Sequence, residues 1–120
     1  MERAATRTAF IAFRLLTGVT FLAAPGSAQR QWLGSADGPG TGSVAARGMG
    51  ARDVALSVGA LGAQRSGGDE RSWLLAAACA EAADALAVLA VARHVPTPQR
   101  FVAAAGPAVL AAVALALARR

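Results

Sequence analysis

Six charged residues stand inside stretches of the chain that are otherwise apolar: Arg14, Arg47, Arg52, Asp53, Glu81 and Asp84. An ionised side chain at the centre of a membrane helix costs about 2.5–3.5 kcal/mol on insertion scales. Such groups persist when they pair with each other, meet water, or handle a proton or ion. Glu81 and Asp84 are three residues apart, so a helix projects both carboxylates from one face. Arginine's planar fork matches a carboxylate and keeps its charge when desolvated. The signs balance, with Arg14, Arg47 and Arg52 set against Asp53, Glu81 and Asp84. The residues therefore point to an internal ionic network. In it Arg52 pairs with Glu81 or Asp84, and Arg14 with Asp53 or the remaining acid. Arg47, a turn nearer the end of its stretch, snorkels toward the surface.

Four apolar stretches must position these groups, at about 8–24, 44–63, 73–92 and 101–118. At about 1.5 Å per residue each helix would measure roughly 25–30 Å, the thickness of a hydrocarbon core. Alanine and leucine dominate them, which favours helix over strand. The centres of the first three fall near Leu16, Arg52 and Ala82, so in an antiparallel bundle the charges share one layer. The stretches are separated by Pro25 to Ser43, Gln64 to Ser72 and Arg93 to Arg100. Gly38, Pro39 and Gly40 mark the first as an irregular loop, with Trp32 and Leu33 lying in the headgroup layer. Gly67 and Gly68 turn the second, where Asp69 is placed to cap a helix. Pro96 and Pro98 interrupt the third. Gly106-Pro107 is expected to kink the last helix. Ala51, Ala55, Gly59 and Ala63 recur every four residues, as do Ala76, Ala80 and then Ala83, Ala87, offering small-residue faces for close helix packing. The fold expected is all-α: one polytopic membrane domain over 1–120, an antiparallel four-helix transmembrane bundle.

Composition supports lipid as the solvent. The 120 residues are 55% hydrophobic and 16% charged, and the mean hydropathy is +0.44. A water-soluble domain this small would need more polar surface, and a disordered tail far less apolar content. All 12 basic residues are arginine, and the net charge is +5. They fall mainly near segment ends without a dense stripe or interleaved aromatics, so nucleic acid is not expected as a partner. One cysteine, Cys79, cannot close an internal disulfide, and with His94 alone it cannot build a zinc site. No cofactor or metal is expected, nor can a nucleophile, base and acid be assembled for an enzyme. Counting Arg3, Arg7, Arg65, Arg71, Arg119 and Arg120 against Arg30, Arg47, Arg93 and Arg100 puts both termini in the cytoplasm of a cell-membrane protein. The first stretch is read as a retained membrane helix, although Gly26-Ser27-Ala28 has the small residues of a signal cleavage site.

Arg47-Gly48-Met49-Gly50-Ala51-Arg52-Asp53, followed by Gly59, resembles the signature of a family of small, actinobacterial-type four-helix integral membrane proteins without an established activity. Its core is the Gly-x-Arg-Asp of Gly50 to Asp53. Pro25 after the first helix, Trp32-Leu33-Gly34 and the Glu81/Asp84 pair also fit, although aspartate is more usual where Glu81 stands. The resemblance covers nearly the whole chain and implies topology rather than mechanism. The function expected from the residues is a non-catalytic membrane subunit or interaction protein, bound to the bilayer and to another membrane protein or itself. The alternative is a proton- or ion-coupled carrier or accessory channel working through Asp53, Glu81 and Asp84.

Overall fold

Runs rich in alanine and leucine coil without side-chain entropy opposing them, and in the computed structural model, which describes residues 1–34, 41–91 and 97–119, they do so almost throughout. The described residues form five α-helices and no strand: α1 Glu2–Ala23, α2 Pro25–Leu33, α3 Thr41–Ser66, α4 Glu70–Val91 and α5 Thr97–Ala118. Gly38, Pro39, Gly40, Arg93, His94, Pro96 and Arg120 lie outside the described residues, as does position 92 at the end of the third expected stretch.

Pro25 does stop α1, but the chain does not then become irregular. Ala24 breaks the helix (φ −136°, ψ 64°), and Pro25 takes the first position of a new one. Proline needs no amide hydrogen there and its ring presets the helical φ. The short α2 therefore occupies the start of the expected loop. It ends at Gly34, whose φ of 77° is left-handed and whose N–H reaches the Arg30 carbonyl at 2.9 Å. Between α3 and α4 the turn uses Gly67 at φ 70°. Asp69 then caps α4, accepting the Ser72 amide at 3.3 Å and the Ser72 hydroxyl. These bonds from Ser72 hold the Asp69 carboxyl below its ordinary 3.8.

The main packing partners are α4 with α5 and α1 with α3, with α3 also resting on α4. α1 and α3 run in opposite directions: Thr8 bonds Gln64 near one end, and Arg47 bonds the Leu22 carbonyl near the other. Their backbones meet tightly at Gly18 and Gly50. A Cβ on Gly18 would lie 2.8 Å from the Gly50 carbonyl oxygen, and one on Gly50 would lie 2.6 Å from that of Gly18. Only glycine lets two backbones meet this closely. Gly59 likewise leaves room for the Trp73 ring from α4. The expected small-residue faces contribute less, since Ala51, Ala55, Ala76, Ala83 and Ala87 are exposed.

Much of the interior is small or charged, with Phe10, Ile11, Leu74 and Val88 as its larger apolar members, while many large apolar side chains lie on the exterior. Alanines such as Ala77, Ala103 and Ala114 fill the core, while Arg14 is 2% and Glu81 5% exposed. Leu16, Leu86 and Val102, by contrast, are each about two-thirds exposed, at 68%, 66% and 66%. Water would drive the opposite arrangement. Three helices, α1, α4 and α5, are long and apolar enough to cross a membrane, as in a membrane protein.

Candidate functional site

Three helices bring five of the six charged residues together. Arg14 extends from α1 between α3 and α4. Its Nη2 donates to Asp53 Oδ1 at 2.8 Å and its Nε to Glu81 Oε1 at 2.9 Å. Arg52 lies beside this pair. It donates to both oxygens of Asp84, at 2.9 and 2.7 Å, in the bidentate form that planar guanidinium favours. It also turns back to Asp53 Oδ1, with Nη2 at 3.0 Å and Nε at 3.2 Å. Asp53 Oδ1 is therefore the hinge of the cluster, shared by two arginines. Asp53 and Glu81 are buried with Arg14, and Arg52 and Asp84 are half-buried.

Arg47 stands apart. Its side chain is exposed and donates to the Leu22 carbonyl at 3.3 Å, near the C-terminus of α1. A cation there also complements the helix dipole. The cluster proper thus holds two guanidinium groups and three carboxylates. With all five ionised, one negative charge is in excess. The excess coincides with unused acceptors: among the described residues no hydrogen bond reaches Oε2 of Glu81 or Oδ2 of Asp53.

A cavity of about 320 Å³ opens beside these acids. Asp53, Glu81 and Asp84 line it together with Phe21, Trp32 and Met49. Thr17, Thr20 and Gln31 add polar atoms, and Pro107 and Leu110 of α5 contribute apolar wall. Each of the five helices supplies part of it. Volumes of about 300–1,000 Å³, mostly apolar with a few convergent polar groups, are typical of small-molecule sites.

α2 forms the wall that the sequence did not reveal. Its Trp32 ring meets Phe21 edge-on, with centroids 6.0 Å apart and planes at 79°. The indole N–H donates to the Ala103 carbonyl at 2.8 Å. That carbonyl lies four residues before Pro107, which has no amide hydrogen to offer it. Trp32 thus fills the bond that the proline leaves open, and α5 runs continuously from Thr97 to Ala118. Gln99 completes the attachment by donating to the Trp32 carbonyl at 3.0 Å. Proline in an apolar helix with a tryptophan elsewhere is the only signal the sequence offers for this pairing.

A second polar group closes one end of the molecule. Arg7 reaches Glu70 at 3.3 Å and the Leu117 carbonyl at 3.1 Å, and Gln64 donates to Glu70 at 3.2 Å. Arg71 binds the Ala118 carbonyl at 3.2 Å. Ser57, one turn beyond Asp53, is 2% exposed and its hydroxyl has no partner among the described residues. No group of three or more His, Cys, Asp or Glu side chains among the described residues could hold a metal ion. No family model matches the chain, and no curated protein or solved structure matches it.

Proposed function

We propose that this is a multi-pass cell-membrane protein in which α1, α3, α4 and α5 all cross the bilayer as an antiparallel four-helix bundle, held at mid-depth by the ionic network. α3 is the least apolar of the four, but its 26 residues would extend about 39 Å. Its Arg52 and Asp53 are directed to partners on α1 and α4 rather than to lipid. The bundle end carrying Arg3, Arg7, Arg65, Arg71 and Arg119 faces the cytoplasm with both termini, against Arg30, Arg47 and Arg100 at the other. This reading also places the chain with the small four-helix membrane proteins its Gly50-to-Asp53 signature resembles. Its role is that of a non-catalytic membrane subunit or interaction protein, joined to another membrane protein or to itself.

The observation that carries this reading is Arg14, buried and bonded at once to α3 and α4. Removing one member of a buried charge set strands the others at about 3–5 kcal/mol. Arg14→Met should therefore sharply lower the amount of protein in the membrane fraction. The paired exchange Arg52→Asp with Asp84→Arg should accumulate better than either single change. Unchanged accumulation of Arg14→Met, or a folded monodisperse full-length chain left in the supernatant without detergent, refutes the reading.

One observation favours a second role. The cavity beside the acids, with one carboxylate charge not offset, suits a proton- or ion-coupled carrier or accessory channel. Glu81→Gln should then abolish pH-dependent ion flux in liposomes at undiminished abundance. Absence of flux from the parent chain would count against it.

A further inference from the structure

We propose that the cavity beside Glu81 binds a primary ammonium ion carried on a small apolar group. The proposal deepens the carrier reading and rests on it for purpose, not for the site itself. Charge is the first argument. Arg14 and Arg52 offset two of the three carboxylates, and Asp84 spends both oxygens on Arg52. With all five groups ionised, one negative charge remains, beside the oxygens of Glu81 and Asp53 that no hydrogen bond reaches among the described residues. Both residues line the cavity, and Glu81 is only 5% exposed. A buried carboxylate oxygen facing open space without a donor is a poor end state, and an N–H cation there satisfies both charge and hydrogen bond.

Shape and lining decide the kind of cation. A cavity of about 320 Å³ is far larger than a bare metal ion, and its lining includes the aromatic residues Phe21 and Trp32. Aromatic faces attract organic cations and accommodate their apolar bodies. Thr17 and Thr20 donate their hydroxyl hydrogens to Phe13 and Leu16 carbonyls of their own helix. Their oxygens keep lone pairs for further N–H groups. The charged groups packed around Glu81 are Arg14 from α1, Arg52 and Asp53 from α3, and Asp84 from its own helix. α2 and α5 bring no charge to the cavity wall.

Benzylammonium is a suitable probe and benzyl alcohol its neutral counterpart. Calorimetric titration of the detergent-solubilised full chain should give saturable benzylammonium binding, with benzyl alcohol weaker by at least about tenfold. Glu81→Gln should weaken the cation by a similar factor and leave the alcohol unaffected. Thr17→Leu fills cavity space without touching a charge, and should lower binding of both ligands in a variant whose helical content matches the parent. Non-saturable binding, equal affinity for the alcohol, or full affinity in Thr17→Leu overturns the proposal. Saturable binding without liposome flux removes the carrier role and leaves the site standing. Flux without benzylammonium binding removes the site and leaves the carrier role.

Discussion

Replacing Gly50 by alanine tests whether backbone contact between α1 and α3 sets the geometry of the ionic network. The added Cβ would lie 2.6 Å from the Gly18 carbonyl oxygen, where an ordinary contact begins near 3.4 Å. Its neighbours are backbone atoms and the Phe21 Cβ, none of which can swing aside, so the helices must part by about 0.8 Å. Arg14 and Asp53 span the same two helices at 2.8 Å. A parting of that size takes their bond to about 3.6 Å, outside hydrogen-bonding range. Overpacking costs about 1–3 kcal/mol, and a weakened charge-assisted bond adds to it at about 1.5–3 kcal/mol if fully lost. Alanine's better helix propensity returns about 1 kcal/mol. The net expectation is a loss of about 2 kcal/mol or more. Gly48, on the same helix, provides the control because a Cβ there meets nothing within 4 Å. Gly48→Ala should be neutral or stabilising by up to about 1 kcal/mol. Reversible unfolding in mixed micelles, followed by far-ultraviolet circular dichroism, measures both. If Gly50→Ala and Gly48→Ala shift stability alike, the contact does not govern the network and the reasoning fails.

The bond from Trp32 to Ala103 predicts that Trp32→Phe destabilises the parent by about 1–3 kcal/mol, and by clearly less in a Pro107→Ala background, where residue 107 offers its own N–H. A double-mutant cycle reads the difference, and additive effects would remove the link. Ser57→Ala should be neutral or mildly stabilising, because it deletes a buried hydroxyl with no partner among the described residues; a loss above about 1 kcal/mol would reveal a bond to that hydroxyl. The Asp69 carboxyl titrates below its ordinary 3.8, so its cap is fully formed above that value and is lost as pH falls through the lowered one. Amide exchange at the start of α4 should therefore accelerate at the acid end of the scale, and Asp69→Asn should flatten that dependence.

The charged residues were legible because an arginine or carboxylate in an apolar run has few physical excuses, and because Glu81 and Asp84 share a helix face. Helical class followed from alanine content. Partner choice was legible only in part. The position of Arg47, a turn nearer the end of its stretch, sets it apart from Arg52, but nothing in the sequence says that it rests on the Leu22 carbonyl or that Arg52 takes Asp84 rather than Glu81. Losing Arg47 from the cluster turns an even charge count into an excess of one carboxylate. Gly18 and Gly50 lie on different helices, and nothing local says that their backbones meet. The stretch Pro25 to Leu33 combines proline, glycine and serine with few apolar residues, the composition of a loop. It folds as α2 because proline starts helices as readily as it stops them and because α5 has a carbonyl for Trp32.

Arg7 and Arg71 give the molecule an order of completion. A helix ends with carbonyls that its own backbone cannot satisfy. α5 has no basic residue in its last turn, and the Leu117 and Ala118 carbonyls take their hydrogens from α1 and α4. The end of α5 is thus terminated by guanidinium groups synthesised before it. A chain shortened from its N-terminal side would leave that seal half open however well α5 itself had formed.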